Sequence, residues 1–203
     1  MSSIILTEAG KRFNKDWIFR HLSYSFEAGK KYALVGNNGS GKSTLLQIIA
    51  GYGNLSKGAI EWANADANSI YEKISIAAPY LELVEEFTAL EHFHFHAQFK
   101  TISEALSIQE MINEVGLSEA THKQIRYYSS GMKQRLKLAL AIFSTSPILL
   151  LDEPCSNLDQ EGYILYKKLI QQYAMQKLII VGSNDSQEYE FCDHQINLMD
   201  YKS

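Results

Sequence analysis

The chain is short of cysteine, of proline and of long apolar runs, and each shortage narrows what it can be. Among 203 residues there are 2 cysteines, Cys155 and Cys192, too far apart for a metal-ligand spacing. Reduced thiols in a cytosolic protein are the expectation. The 3 prolines include Pro79 and Pro147, each at the edge of an apolar segment. No apolar run approaches the roughly 20 residues needed to cross a bilayer. The longest, such as Leu138 to Phe143 and Ile148 to Leu151, are core-sized. The start Met1-Ser2-Ser3-Ile4-Ile5-Leu6 carries no basic residue and is too short for a secretory leader. A membrane role must therefore come through a partner protein. Excess positive charge is missing as well: a net charge of −4 argues against a nucleic-acid surface, so no nucleic-acid partner is expected. With 46% hydrophobic and 21% charged residues, the chain suits one globular α/β domain with a sizeable core.

What is present is a succession of short apolar segments, first around turns and then around helical stretches. Strands are expected at Ile4 to Thr7, Ile18 to Phe19, Tyr24 to Phe26 and Tyr32 to Val35, the last after the turn Glu27-Ala28-Gly29-Lys30. Others are expected at Ala59 to Trp62 and Lys73 to Ala77, before Pro79. From Thr88 to Phe99 and from Glu104 to Val115 the apolar period is helical, and Gly116 is placed to end the second stretch. Either Ser129 or Ser130 caps a third helix reaching Phe143. After Pro147 come a strand at Ile148 to Leu151, a helix at Glu161 to Tyr173, a strand at Leu178 to Val181, a short helix and a strand near Gln195 to Met199. This alternation implies a mostly parallel sheet, with a helical lobe from about 88 to 143 inserted into a single domain spanning residues 1–203.

Chemistry enters at Gly36-Asn37-Asn38-Gly39-Ser40-Gly41-Lys42-Ser43, followed by Thr44. It fits the phosphate-binding pattern G-x-x-x-x-G-K-[ST], between an expected strand and an expected helix start. Glycines let successive backbone N–H groups turn inward and form an anion nest at a helix N-terminus. Lys42 can then reach the β- and γ-phosphates of a nucleoside triphosphate, and the Ser43 hydroxyl can ligate Mg²⁺. A plain glycine-rich turn is the bland alternative, and the strand–loop–helix context outweighs it.

A second segment, Ile148-Leu149-Leu150-Leu151-Asp152-Glu153-Pro154, puts two carboxylates at the C-terminal end of an expected buried strand, where α/β sheets place their ligands. Asp152 is a candidate magnesium ligand. Glu153, one residue on, points to the other side and is a candidate base for an attacking water.

The order phosphate loop, helical insertion, Tyr128-Ser129-Ser130-Gly131-Met132, Leu-Leu-Leu-Asp-Glu-Pro and Ser156-Asn157-Leu158-Asp159 resembles the ATP-binding subunits of ABC transporters, over nearly the whole chain. The resemblance implies an ABC-type P-loop NTPase core with an N-terminal antiparallel β region and an inserted α-helical lobe. It implies that Ser129, Ser130 and Gly131 stand where the family's signature caps the γ-phosphate held by a second subunit, homologous or identical. Ser156 to Asp159 resembles the loop that touches that subunit, and Phe13 resembles the aromatic residue stacked on adenine. ATP and Mg²⁺ are the implied cofactors. An integral membrane permease is the implied partner, holding the chain peripherally at the inner face of the cell membrane, and the compact cassette is similar to exporter subunits.

Some positions depart from the family pattern. Tyr80 stands where a glutamine is usual, and Asn184, within Ser183-Asn184-Asp185, where the switch histidine is usual. Asn184 can donate to a γ-phosphate oxygen but cannot titrate. These changes leave binding intact and put the rate of hydrolysis in question. Two other classes stay open: a soluble ABC ATPase without a transport role, and a nucleotide-binding regulatory module with weak turnover. His92, His94 and His96 read as a helix of the lobe rather than a metal site. Residues 80–87 are unusually apolar for a surface connection, and either fold back on the lobe or form part of a partner groove.

Overall fold

The computed structural model describes residues 3–66 and 68–202. Two strands buried along their whole length, β6 (Ile148–Asp152) and β7 (Leu178–Gly182), run side by side in parallel. Successive side chains of a strand face opposite ways. Leu149, Leu151, Ile179 and Val181 therefore enter one apolar core, while Ile148, Leu150, Leu178 and Ile180 enter another. With β3 (Lys31–Val35), β5 (Ile74–Ala77) and β8 (His194–Asn197) they make a five-stranded parallel sheet in the order β5-β6-β7-β3-β8. Apolar side chains on both faces are what an all-parallel sheet demands.

One face is covered by helices. α2 (Ala89–His96), α3 (Ile108–Glu114), α4 (Ser130–Ile142) and α5 (Gln160–Leu169) bring Phe93, Met111, Leu136 and Tyr166 into the first core. The other face takes α1 (Lys42–Ile49) and a three-stranded antiparallel sheet in the order β2-β1-β4, formed by β1 (Ile4–Phe13), β2 (Asp16–Phe26) and β4 (Lys57–Trp62). A one-turn α6 (Ser186–Tyr189) lies between β7 and β8.

Three differences from the sequence reading have physical causes. The expected strands at 18–19 and 24–26 are one strand, β2, and β1 continues past Thr7 to Phe13. Glu8 and His21 adopt φ of 47° and 58°, bulging both strands and shifting their register, which hides the two-residue period. Their side chains meet, His21 Nδ1 lying 2.6 Å from Glu8 Oε2. The second lobe helix starts at Ile108, not Glu104, because Ser107 and Glu110 form a reciprocal capping box. The first starts at Ala89 for the same reason, with Thr88 and Glu91 as the pair. The helix after Asp159 is α-helical only to Leu169 and continues as a π turn over Ile170–Ala174.

Candidate functional site

The phosphate loop joins β3 to α1. Gly36, Gly39 and Gly41 have φ of 140°, 75° and 102°, which side chains rarely adopt. Gly41 is the N-cap of α1 and offers no side-chain hydrogen bond, so the first N–H groups of the helix stay free for an anion. A Cβ at Gly41 would stand 2.4 Å from Ile18 Cγ2, so the antiparallel sheet presses directly on the loop.

Lys42 is only 5% exposed, and its ammonium is fully engaged. It donates to Gly36 O at 2.7 Å, to Asn184 Oδ1 at 2.8 Å and to Asn37 O at 3.4 Å. An ammonium can only donate, so the oxygen of Asn184 must face it, and the Asn184 Nδ2 then donates to Asn38 Oδ1 at 2.6 Å. The amide thus ties the loop to the segment after β7. Burial pulls the Lys42 pKa down, against the opposing pull of Glu153 and then Asp152.

Asp152 ends β6 on the α1 side of the sheet, 1% exposed. Burial raises its pKa to about 6, with the Ser43 hydroxyl bonded to it and the Lys42 charge opposing, and Glu153 adding to the rise. Its Oδ1 is buried without a protein partner. A buried orphan carboxylate oxygen beside a serine hydroxyl is an oxygen donor set that suits Mg²⁺. Gly182 makes the space: a Cβ there would meet Leu46 Cδ1 at 2.9 Å and Asp152 Oδ1 at 3.2 Å.

Glu153 is exposed and turns away from Asp152 with φ of 43°. Its N–H donates to Gly182 O at 2.9 Å. Its side chain lines an open cleft of about 260 Å³ with Asn38, Ser156, Asn184 and Glu188. Tyr80, 41% exposed, sits near Asp152; partial burial, then Asp152, raises its pKa to about 12, with the neighbouring Gln47 side chain opposing. Gln47 lies on α1 one helical turn past Ser43, on the same face. Sequence reasoning missed Gly182, Gln47 and Glu188, none of which belongs to a local motif.

The signature segment lies elsewhere. Ser129, rather than Ser130, caps α4 by accepting from Met132 N at 3.2 Å. Ser129, Ser130 and Gly131 line a cleft of about 350 Å³ with Arg135, Asn157 and Asp159. Residues 156–159 therefore straddle two clefts, Ser156 in one and Asn157 in the other. Phe13 is 54% exposed at the end of β1, with the Lys11 ammonium over its ring, 5.1 Å from the centroid.

Residues 80–87 fold back on the lobe in part and border a groove in part. Leu83 and Phe87 pack against the first core, and Phe87 stands edge-on to Phe95 with centroids 5.6 Å apart. A groove of about 710 Å³ is lined by residues 81–86, among them Leu81, Leu83 and Val84, with Lys133 and Lys137. His92 and His96 share a neighbouring recess with Lys100 and Lys137, whose charges disfavour a cation there. Among the described residues no helix is long and apolar enough to span a membrane.

The comparisons agree with this geometry. The family model described as ABC transporter matches residues 19–156. The Bacillus subtilis uncharacterized ABC transporter ATP-binding protein YybJ is 31% identical over 90% of this chain and 86% of its own length. The Vibrio cholerae cytochrome c biogenesis ATP-binding export protein CcmA is 31% identical over 81% of this chain and 82% of its own. The Streptococcus pyogenes lantibiotic transport ATP-binding protein SrtF is 28% identical over 86% and 76%. A solved ABC transporter ATP-binding protein from Pyrococcus furiosus superposes with a TM-score of 0.83 at 20% identity, over 99% of this chain and all of that one. The family match over residues 19–156 and the relatives at 31% identity make this chain a member of the ABC transporter family, one of its ATP-binding proteins.

Proposed function

We propose that this chain hydrolyses Mg-ATP as one of a pair of nucleotide-binding subunits and drives a separate membrane permease. The supporting observation is the division of the site: among the described residues the cleft at Glu153 contains no signature residue, and the signature cleft contains neither Lys42 nor Glu153. Each chain thus offers two halves, which fit two sites shared across a dimer.

In the proposed site, the phosphates rest on the free N–H groups of the first turn of α1, residues 42–44. Lys42 exchanges the Asn184 oxygen for phosphate oxygens, and Asn184 turns its Nδ2 to the γ-phosphate. Ser43 and Asp152 would hold Mg²⁺, which when bound neutralises phosphate charge. Glu153 takes a proton from a water as the water oxygen attacks the γ-phosphorus and the bond to the β–γ bridging oxygen breaks. Phe13 offers its exposed ring to adenine. The signature of the second subunit closes over the γ-phosphate.

The groove between 79–86 and α4 is the proposed seat of the permease, which would hold the chain at the inner membrane face. Two relatives are named for lantibiotic transport and for export in cytochrome c biogenesis, which supports an export role. Leu83 and Phe87 are part of the core, so Leu81 and Val84 are the better probes of this seat.

Sedimentation of Glu153→Gln tests the dimer: with saturating Mg-ATP it should shift to a dimer that wild type forms only transiently. A monomer at every protein concentration would overturn the shared-site reading.

A further inference from the structure

Glu188, on α6, has no part in the scheme above, yet it is a carboxylate only 3% exposed. Burial without a full set of partners is costly for such a group. Its Oε1 accepts from Cys155 N at 2.8 Å, while Oε2 is buried with no protein partner. Burial, first, raises its pKa, and the Cys155 N–H opposes that rise.

Its backbone is pinned as firmly. Glu188 N donates to Asp185 O at 3.0 Å, and Glu188 O accepts from the Tyr166 hydroxyl at 2.8 Å. The carboxylate thus reaches from a fixed base to the turn that follows β6. That turn is unfavourable on its own, because a glutamate at φ of 43° is in the left-handed region without the freedom of glycine. It is held at one end by Glu153 N on Gly182 O and closed by Ser156 N on Glu153 O at 3.0 Å. Within it, Cys155 N has the Glu188 carboxylate as its partner.

We propose that Glu188 is a positioning residue, whose carboxylate clamps the Glu153–Cys155 turn and so aims the Glu153 carboxylate at the cleft shared with Asn184. The inference rests on the reading of Glu153 as the water-activating group. Glu188 also joins that turn to the segment 183–185, which carries Asn184, so phosphate contact and water activation are fastened to one short element.

The test uses the purified full chain with Mg-ATP and two variants, Glu188→Ala and Glu188→Gln, read by steady-state kinetics, equilibrium ATP binding and hydrogen exchange at the Cys155 amide. Glu188→Ala should lower kcat by about tenfold to a hundredfold, as displacement of a reacting group does, while the Kd for Mg-ATP stays within about twofold. Its Cys155 amide should exchange faster, with the amides of β6 and β7 unchanged. Glu188→Gln keeps an acceptor oxygen and should restore both kcat and Cys155 protection. Unchanged Cys155 exchange in Glu188→Ala, or kcat and affinity falling together, overturns the clamp. If wild type and Glu153→Gln show equal turnover, the reading of Glu153 fails instead, and Cys155 exchange still decides whether Glu188 holds the turn.

Discussion

The two clefts of this chain are built to different degrees of completeness. Around the phosphate loop, Lys42, Asn184 and Asn38 already hold one another, and Asp152 waits with a bonded serine at its side. At the signature, Ser129 satisfies only its own helix, and Ser130 and Gly131 line an open cleft beside residues 157–159. The first is preorganised to grip a ligand by itself. The second is a surface lacking its counterpart, so damage to it should leave binding by the isolated chain untouched.

The largest expected effect strikes the preorganised half. Lys42→Ala should weaken Mg-ATP by at least about a hundredfold in equilibrium titration, whereas Glu153→Gln keeps affinity and loses turnover by a similar factor. Equal hydrolysis in the Glu153 variant would remove it from catalysis. Next, Gly131→Val crowds Asn157 O, which a Cβ at that position already approaches to 3.0 Å. Turnover should drop by about tenfold or more with single-chain ATP affinity intact. Affinity lost in parallel would erase the contrast between the clefts.

A smaller effect is expected at the tie between loop and switch. Asn184→Ala should slow hydrolysis by about three- to tenfold, the worth of one or two polar contacts, and Asn184→His should keep or raise the rate. An unchanged rate in the alanine variant would make Asn184 purely structural. The mildest effect lies in the lobe. Burial, then His92 and Lys100, lowers the His96 pKa to about 4, and Lys137 and Glu82 line the same recess. Between the ordinary value near 6.5 and about 4, the unfolded chain holds a proton that the folded chain refuses. Stability should therefore fall as pH drops through that window, by on the order of 1–2 kcal/mol after allowance for partial solvent exposure. Thermal melts of His96→Phe should show a shallower acid slope, and an identical slope would place the acid sensitivity elsewhere.

Residues that lie together along the chain were legible in the sequence. The loop from Gly36 to Thr44 and the pair Asp152 and Glu153 are contiguous, and the β6 run that carries the pair has no alternative to burial. Gly182, Gln47 and Glu188 were not legible, because folding alone brings them to the site: one beneath Lys42, one beside Tyr80, one against Cys155. The antiparallel sheet was fragmented in the reading since Glu8 and His21 take glycine-like angles without being glycine. Of the lobe helices, the one expected from Glu104 begins later, at Ile108, because a capping pair rather than the apolar period decides its first turn.

The stretch 156–159 is divided between the clefts at a single peptide bond, with Ser156 in one and Asn157, Leu158 and Asp159 in the other. A peptide unit is rigid and planar, so its two ends cannot be displaced independently. In a paired arrangement of the kind proposed, a nucleotide felt at one end is announced at the other. The joint would then let each berth sense whether the other is loaded.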